Sequence, residues 1–212
     1  MARGFVIALL GAESTGKTTL AFDLRATLNA PERRVAVVSE YLREFCEREG
    51  RTPHAHEQRH IADEQTRRIE AATHDHDLVI ADTTALMVAV YSDLIFDDAL
   101  LYPSAQAAHA QCDLTLLTAL DLAWQADGLQ RDGPHVQEPV DALVRRALDR
   151  AGLGYSVIAG TGAARLQGAL ACIQRATKAP APAPAAVRTR WHWHCDRCGD
   201  SDCERRTLLP VI

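Results

Sequence analysis

The chain reads as an α/β protein: a three-layer domain on a five-stranded parallel sheet, followed by a short Cys/His-rich C-terminal tail. Two observations predict the domain. Five short apolar runs alternate with helical segments, the arrangement that yields a parallel sheet with helices on both faces. The connection after the first run, Gly11-Ala12-Glu13-Ser14-Thr15-Gly16-Lys17-Thr18, is a complete phosphate-binding loop pattern set between a strand and a helix.

Each element follows from its residues. Gly4 to Leu10 (GFVIALL) is a buried strand, and Lys17 to Asn29 a helix. Arg34 to Ser39 is the second strand, followed by helices over Glu40 to Arg48 and His54 to Thr73. Asp77 to Asp82 is a third strand ending in a carboxylate, and Thr84 to Leu94 the helix after it. A further helix lies within Ser104 to Ala110, and Asp113 to Thr118 is the fourth strand. The polar segment Asp121 to Glu138 precedes a helix over Val140 to Ala151. Gly154 to Ala159 is the fifth strand and Ala163 to Thr177 the last helix. The run Ala179-Pro180-Ala181-Pro182-Ala183-Pro184 cannot pack as either element and reads as a semi-rigid spacer. The organisation is therefore 1–177 for the domain, 178–190 for the Ala/Pro linker and 191–212 for the tail.

Composition narrows the classes. A hydrophobic content of 47% supports a core, and a formal charge of −5 without a basic stripe gives no footprint for nucleic acid. No run of 18 apolar residues is present, so no membrane span is expected. Cys46, Cys112 and Cys172 are scattered in apolar contexts as buried thiols, while Cys195, Cys198 and Cys203 cluster in the tail. That usage suits a reducing compartment, and the strand at the N-terminus leaves no place for a cleavable leader, so a cytoplasmic location is expected.

The loop carries the first chemistry. Its glycines let consecutive amides turn inward on a phosphate chain, and the helix N-terminus adds its positive end. The cradle is Gly11, Ala12, Glu13, Ser14, Thr15, Gly16, Lys17, Thr18 and Thr19. Lys17 is to reach the β- and γ-phosphates, and the Thr18 hydroxyl to join the shell of a Mg²⁺ ion. Asp82, ending an apolar strand, is the candidate for a second Mg²⁺-associated carboxylate, its alternative being a cap on the next helix. Glu40, just after the second strand, either accepts a proton from a substrate hydroxyl or merely begins a helix favourably. Arg43, one turn on, either holds a polar ligand or pairs with a carboxylate.

With these residues in place, the chain resembles the NadR-type ribosylnicotinamide kinase domain, a P-loop fold related to nucleoside kinases. The matching pieces are GAESTGKTTL (Gly11 to Leu20), SEYLREF (Ser39 to Phe45), IADEQ (Ile61 to Gln65), VIADTTALMVAVYSDLIF (Val79 to Phe96), CDLTLLTALDLAWQADGLQRD (Cys112 to Asp132) and YSVIAGTGAARL (Tyr155 to Leu166). They cover about residues 3–173. The resemblance implies transfer of the ATP γ-phosphate to the 5′-hydroxyl of nicotinamide riboside, a step of NAD salvage. It implies Lys17, Asp82, Glu40 and Arg131 as catalytic residues, and Glu40, Arg43, Gln65, Trp124 and Asp127 on the substrate. Arg131 belongs to a segment over the phosphates, where the chain departs from the family pattern: Gln130 precedes Arg131, and Val136-Gln137 stand in the later region, leaving Arg145 or Arg146 as substitute cations. Bifunctional members carry a nucleotidyltransferase domain upstream, for which this chain has no room, so only the kinase step is expected.

Other patterns compete. His56-Glu57-Gln58-Arg59-His60 matches the short H-E-x-x-H zinc pattern but lacks a third ligand downstream, and reads as a solvated or substrate-covering helix. Asp82-Thr83-Thr84-Ala85 lacks the glycine of a GTPase switch, and Thr118 to Asp121 is not a guanine-reading sequence, which favours ATP. Gly160-Thr161-Gly162 is placed beside the adenine. In the tail, His194, Cys195, Cys198 and Cys203 would satisfy a tetrahedral Zn²⁺, with His192 as the alternative fourth ligand; the other reading is a disordered tail with reactive thiols.

The expected function is an ATP-dependent small-molecule kinase acting on a riboside, with no nucleic-acid or membrane partner. The alternatives are another nucleoside or nucleotide kinase, or a non-catalytic ATP-gated regulatory protein.

Overall fold

The computed structural model describes residues 3–125 and 133–178. By its contacts, Met1–Thr177 form one unit and Lys178–Ile212 a second. Strands β1 (Phe5–Leu10), β2 (Val35–Val38), β3 (Leu78–Asp82), β4 (Leu114–Thr118) and β5 (Ser156–Ile158) form one sheet in the order β2-β3-β1-β4-β5. All four strand pairings are parallel. Every residue of β3 and all but the first of β1 are buried, which is why both read as unbroken apolar runs.

Among the described residues, six helices lie between the strands, α1 (Lys17–Leu28), α2 (Tyr41–Glu49), α3 (Gln58–Asp75), α4 (Ala85–Phe96), α5 (Tyr102–His109) and α6 (Gln137–Arg150), and α7 (Gly162–Lys178) follows β5. Alternate strand residues face opposite layers. Ile7 and Leu9 of β1 pack with Leu20, Leu24, Ala169 and Leu170 of α1 and α7. On the other side, Leu10 and Leu117 join the larger cluster of α2 to α6, with Phe45, Ile61, Leu86, Val140 and Leu148. Each fully buried leucine or isoleucine here contributes about 1.5–3 kcal/mol relative to exposure.

Two helix starts differ from the sequence expectation. The segment before α3 is a separate 3-10 turn, Ala55–Glu57, because Glu57 reaches back to the His54 N–H at 2.7 Å and closes the turn. Helix α6 begins at Gln137 after a 3-10 turn, Pro134–Val136. Pro139 is tolerated there because first-turn N–H groups have no intrahelical acceptor. Among the cysteines, Cys46 and Cys172 are buried but Cys112 is partly exposed. Among the described residues, no helix is long and apolar enough to cross a membrane.

Parallel strands bring their carboxyl ends to one edge of the sheet, where the order places the loop after β1 between the ends of β3 and β4.

Candidate functional site

The loop between β1 and α1 is braced from beneath. Gly11 has φ 144°, and a Cβ at this position would run into the Thr118 hydroxyl on β4. Gly16 caps α1 at φ 75°, a left-handed conformation that costs glycine little. The Thr15 hydroxyl lies 2.8 Å from the Ala12 carbonyl and 2.7 Å from the Thr118 hydroxyl, and Thr118 in turn lies 3.1 Å from the Leu10 carbonyl. Arg165 of α7, 4% exposed, donates to the Thr15 carbonyl at 3.2 Å and to Asp121 at 2.9 Å. Asp121 also accepts from the Gly160 N–H, so one carboxylate joins the ends of β4 and β5.

Lys17 Nζ donates to the carbonyls of Gly11 and Ala12 at 2.9 and 2.8 Å. Its ammonium thus lies across the mouth of the loop. Thr18 donates its hydroxyl to Asp82 Oδ2 at 2.5 Å, and Asp82 sits opposite Leu9 in the β1–β3 register. Asp82 does not cap α4; that task falls to Thr84, whose hydroxyl accepts from the Leu86 N–H at 3.3 Å. Two hard oxygens are therefore paired where a divalent ion coordinated by oxygen would fit.

A cleft of about 620 Å³ opens from this loop. Residues 13–19 contribute to its lining. Glu40, Leu42, Arg43 and Cys46 from α2 and its start also line it, with Thr52, Pro53 and Gln58. Met87, Tyr91 and Ile95 of α4 complete the wall with Phe96. Glu40 is the N-cap of α2 but makes no capping hydrogen bond; its carboxylate lies 3.9 Å from Arg43. Among the described residues, the cations lining the cleft are Lys17 and Arg43.

The Glu13 side chain is engaged by residues beyond β4. Its Oε1 accepts from the Trp124 indole N–H and the Gly133 N–H, both at 3.2 Å, while Oε2 is buried without a hydrogen-bond partner. The Glu13 carbonyl accepts from the Gln137 amide at 2.9 Å, and Ser14 Oγ accepts from the Gln125 N–H at 2.7 Å. The loop therefore holds residues on both sides of the 126–132 segment.

Several expected site residues fall elsewhere. Gln65 does not line the cleft; its amide is engaged by backbone groups of Ser39, Tyr41 and Thr83. Trp124 does not line it either, and its one polar hydrogen is taken by Glu13. Arg145 pairs with Asp141 at 2.6 Å and lies over the Tyr155 ring, so it is not a substitute cation in the cleft, and Arg146 does not line it. The Gly160 turn ends β5 and also lies outside the cleft lining. His56 and His60 do not share one helix: His56 belongs to the 3-10 turn and stacks on His54, while His60 meets Tyr41 edge-on. Asp127 and Arg131 lie outside the described residues, as do His192, His194, Cys195, Cys198 and Cys203. Among the described residues, no group of three or more His, Cys, Asp or Glu is placed to hold a metal ion.

The sequence reading missed the α4 wall. Met87, Tyr91 and Ile95 recur every four residues and so share one helix face, a legible signal hidden because α4 is apolar on nearly every side. It also missed Arg165 and Thr83. Thr83 lines the cleft at φ 81° with its hydroxyl buried and unpartnered, a strained conformation for a β-branched residue.

Comparison with known proteins agrees with this architecture. No curated protein matches the chain. Two solved structures of NadR proteins superpose well. One, in complex with NAD and AMP-PNP, has a TM-score of 0.66 at 20% identity, over 86% of this chain and 52% of that one. The other, in complex with NR, has a TM-score of 0.67 at 21% identity, over 86% and 53%. The chain spans about half the length of these proteins, and at such identity the shared property is the fold. A family model described as an AAA domain matches residues 6–165, from β1 through the braced loop to Arg165. The chain is a P-loop protein with a kinase-like α/β fold, and it belongs to the AAA domain family.

Proposed function

We propose that the protein is an ATP-dependent small-molecule kinase whose acceptor is a riboside, nicotinamide riboside first among them. The observation that carries this reading is the continuity of one cleft from the phosphate loop to the wall of Glu40, Tyr91 and Phe96. A protein that only gripped a triphosphate needs the loop. A kinase also needs a slot where apolar and polar groups face an acceptor, and this cleft offers Leu42, Met87, Tyr91 and Ile95 beside Glu40 and Arg43. The two NadR structures with nucleotide and riboside support the same assignment, as do the sequence pieces shared with that family.

In this reading the loop amides and Lys17 hold the β- and γ-phosphates. Thr18 and Asp82 would hold Mg²⁺, which when bound neutralises charge on the phosphate oxygens. The slot places a riboside so that its primary hydroxyl faces the γ-phosphorus. A new P–O bond forms to that oxygen while the bond from the γ-phosphorus to the β–γ bridging oxygen breaks. ADP leaves with the electron pair, and the hydroxyl proton passes to Glu40. Positioning and charge stabilisation supply most of the acceleration in such transfers. Glu40 and Arg43 hold the riboside, and Arg131 is assigned to the phosphates.

ADP release measured against a panel of ribosides tests the proposal. Acceptor-dependent release, largest with nicotinamide riboside, is the expected result. Release equal to the buffer control with every riboside overturns it.

A further inference from the structure

Gln65 is among the most buried polar side chains of the protein, at 1% exposure. Its Oε1 accepts from the Tyr41 N–H at 2.7 Å, and its Nε2 donates to the carbonyls of Ser39 at 3.4 Å and Thr83 at 3.3 Å. One amide on α3 thus grips the ends of two neighbouring strands. Ser39 and Tyr41 are the residues on either side of Glu40, and Thr83 follows Asp82.

Two of the contacts have separate physical consequences. Tyr41 opens α2, so its N–H has no acceptor within the helix. A side chain at the preceding position reaches the second or third N–H of a helix rather than the first, and Glu40 makes no such bond. Gln65 provides that acceptor from another helix, directly beside Glu40, which lines the cleft. At Thr83, a strained left-handed backbone persists only where its surroundings fix it from several sides. The Thr83 N–H donates to the Leu9 carbonyl at 3.2 Å, and its carbonyl accepts from Gln65.

We infer that Gln65 is a positioning residue: by fixing the backbone on both sides of Glu40 and immediately after Asp82, it sets these two carboxylates relative to each other. This deepens the kinase reading, on which its kinetic arm rests.

Two measurements on the full chain test it. The first needs no turnover. Hydrogen exchange at the Tyr41 amide is expected to quicken about fivefold in Gln65→Leu, the size of one lost hydrogen bond. Exchange unchanged from wild type overturns the inference. The second is a cycle with Glu40→Gln, read as kcat with the best riboside. Gln65→Leu is expected to lower kcat about tenfold and leave the KM for ATP within about twofold, because the phosphate loop is untouched. Glu40→Gln then costs much less in the Gln65→Leu background than in wild type. Equal costs in both backgrounds mean the two act independently and overturn the inference. If Gln65→Leu does not fold, Gln65→Glu serves: it keeps an acceptor for Tyr41 but sets a carboxylate against two carbonyls, so Tyr41 stays protected while kcat falls and the coupling to Glu40 is lost. Should wild type phosphorylate no riboside, the kinase reading fails, and the exchange measurement alone decides the capping role.

Discussion

The Thr18 hydroxyl donates to Asp82 across 2.5 Å, joining the first turn of α1 to the last residue of β3. These residues are 64 positions apart, and the β1–β3 register brings them together. Asp82→Asn keeps the shape but removes the charge that a divalent ion would need. We expect turnover to fall about 10²-fold or more, with the magnesium concentration for half-activation raised. A magnesium titration of wild type and variant checks this; an unchanged half-activation concentration contradicts the assignment.

Lys17 already spans two loop carbonyls, and in the proposed reaction it moves to phosphate oxygen. Lys17→Ala should cost about 10²–10³-fold in turnover, comparable to losing one strong donor from a charge-stabilising site. Steady-state ADP release measures it, and wild-type-like rates in the variant would be incompatible with the site.

His109 links α5 to the rest through two hydroxyls, Thr84 at Nδ1 and Thr115 at Nε2, each 2.9 Å away. Burial pushes its pKa down to about 4 from the ordinary 6.5. The unfolded chain therefore takes up a proton below pH 6.5 that the folded protein refuses until about pH 4. Stability is full above pH 6.5 and falls across that window, by about 3 kcal/mol if the group acts alone. Urea midpoints at pH 7 and 4.5 should differ accordingly, and His109→Gln should remove that part of the slope.

Thr83 combines a strained backbone with an unpartnered buried hydroxyl. Thr83→Gly relieves both, against an entropy cost of about 0.5–1 kcal/mol in the unfolded state. We expect the variant to be as stable as wild type or up to about 2 kcal/mol more so. Its activity is expected to fall, because the cleft loses a fixed residue. Thermal melts and ADP release, taken together, test this trade.

Much of the fold was legible because buried parallel strands announce themselves as apolar runs; all five lie within the expected spans. The closeness of Thr18 to Asp82 was legible for a related reason, since a phosphate loop and a strand-terminal carboxylate mark the same sheet edge. Residues whose partners are backbone groups were harder to read. The family resemblance puts Gln65 on the substrate, and only packing shows its amide consumed by three peptide groups. Arg165 and Trp124 meet partners more than 100 positions away, which no local pattern encodes. The helix starts at Gln58 and Gln137 were missed because short 3-10 turns precede both, without a periodicity of their own.

The brace formed by Thr15, Thr118 and Arg165 bears on energetics as well as shape. A ring held in its anion-receptive form by hydrogen bonds from β4 and α7 loses little chain entropy when a polyphosphate arrives. Affinity at that end should therefore reflect the strength of the new bonds themselves. Ordering costs are left to whichever parts of the molecule must still settle around the ligand.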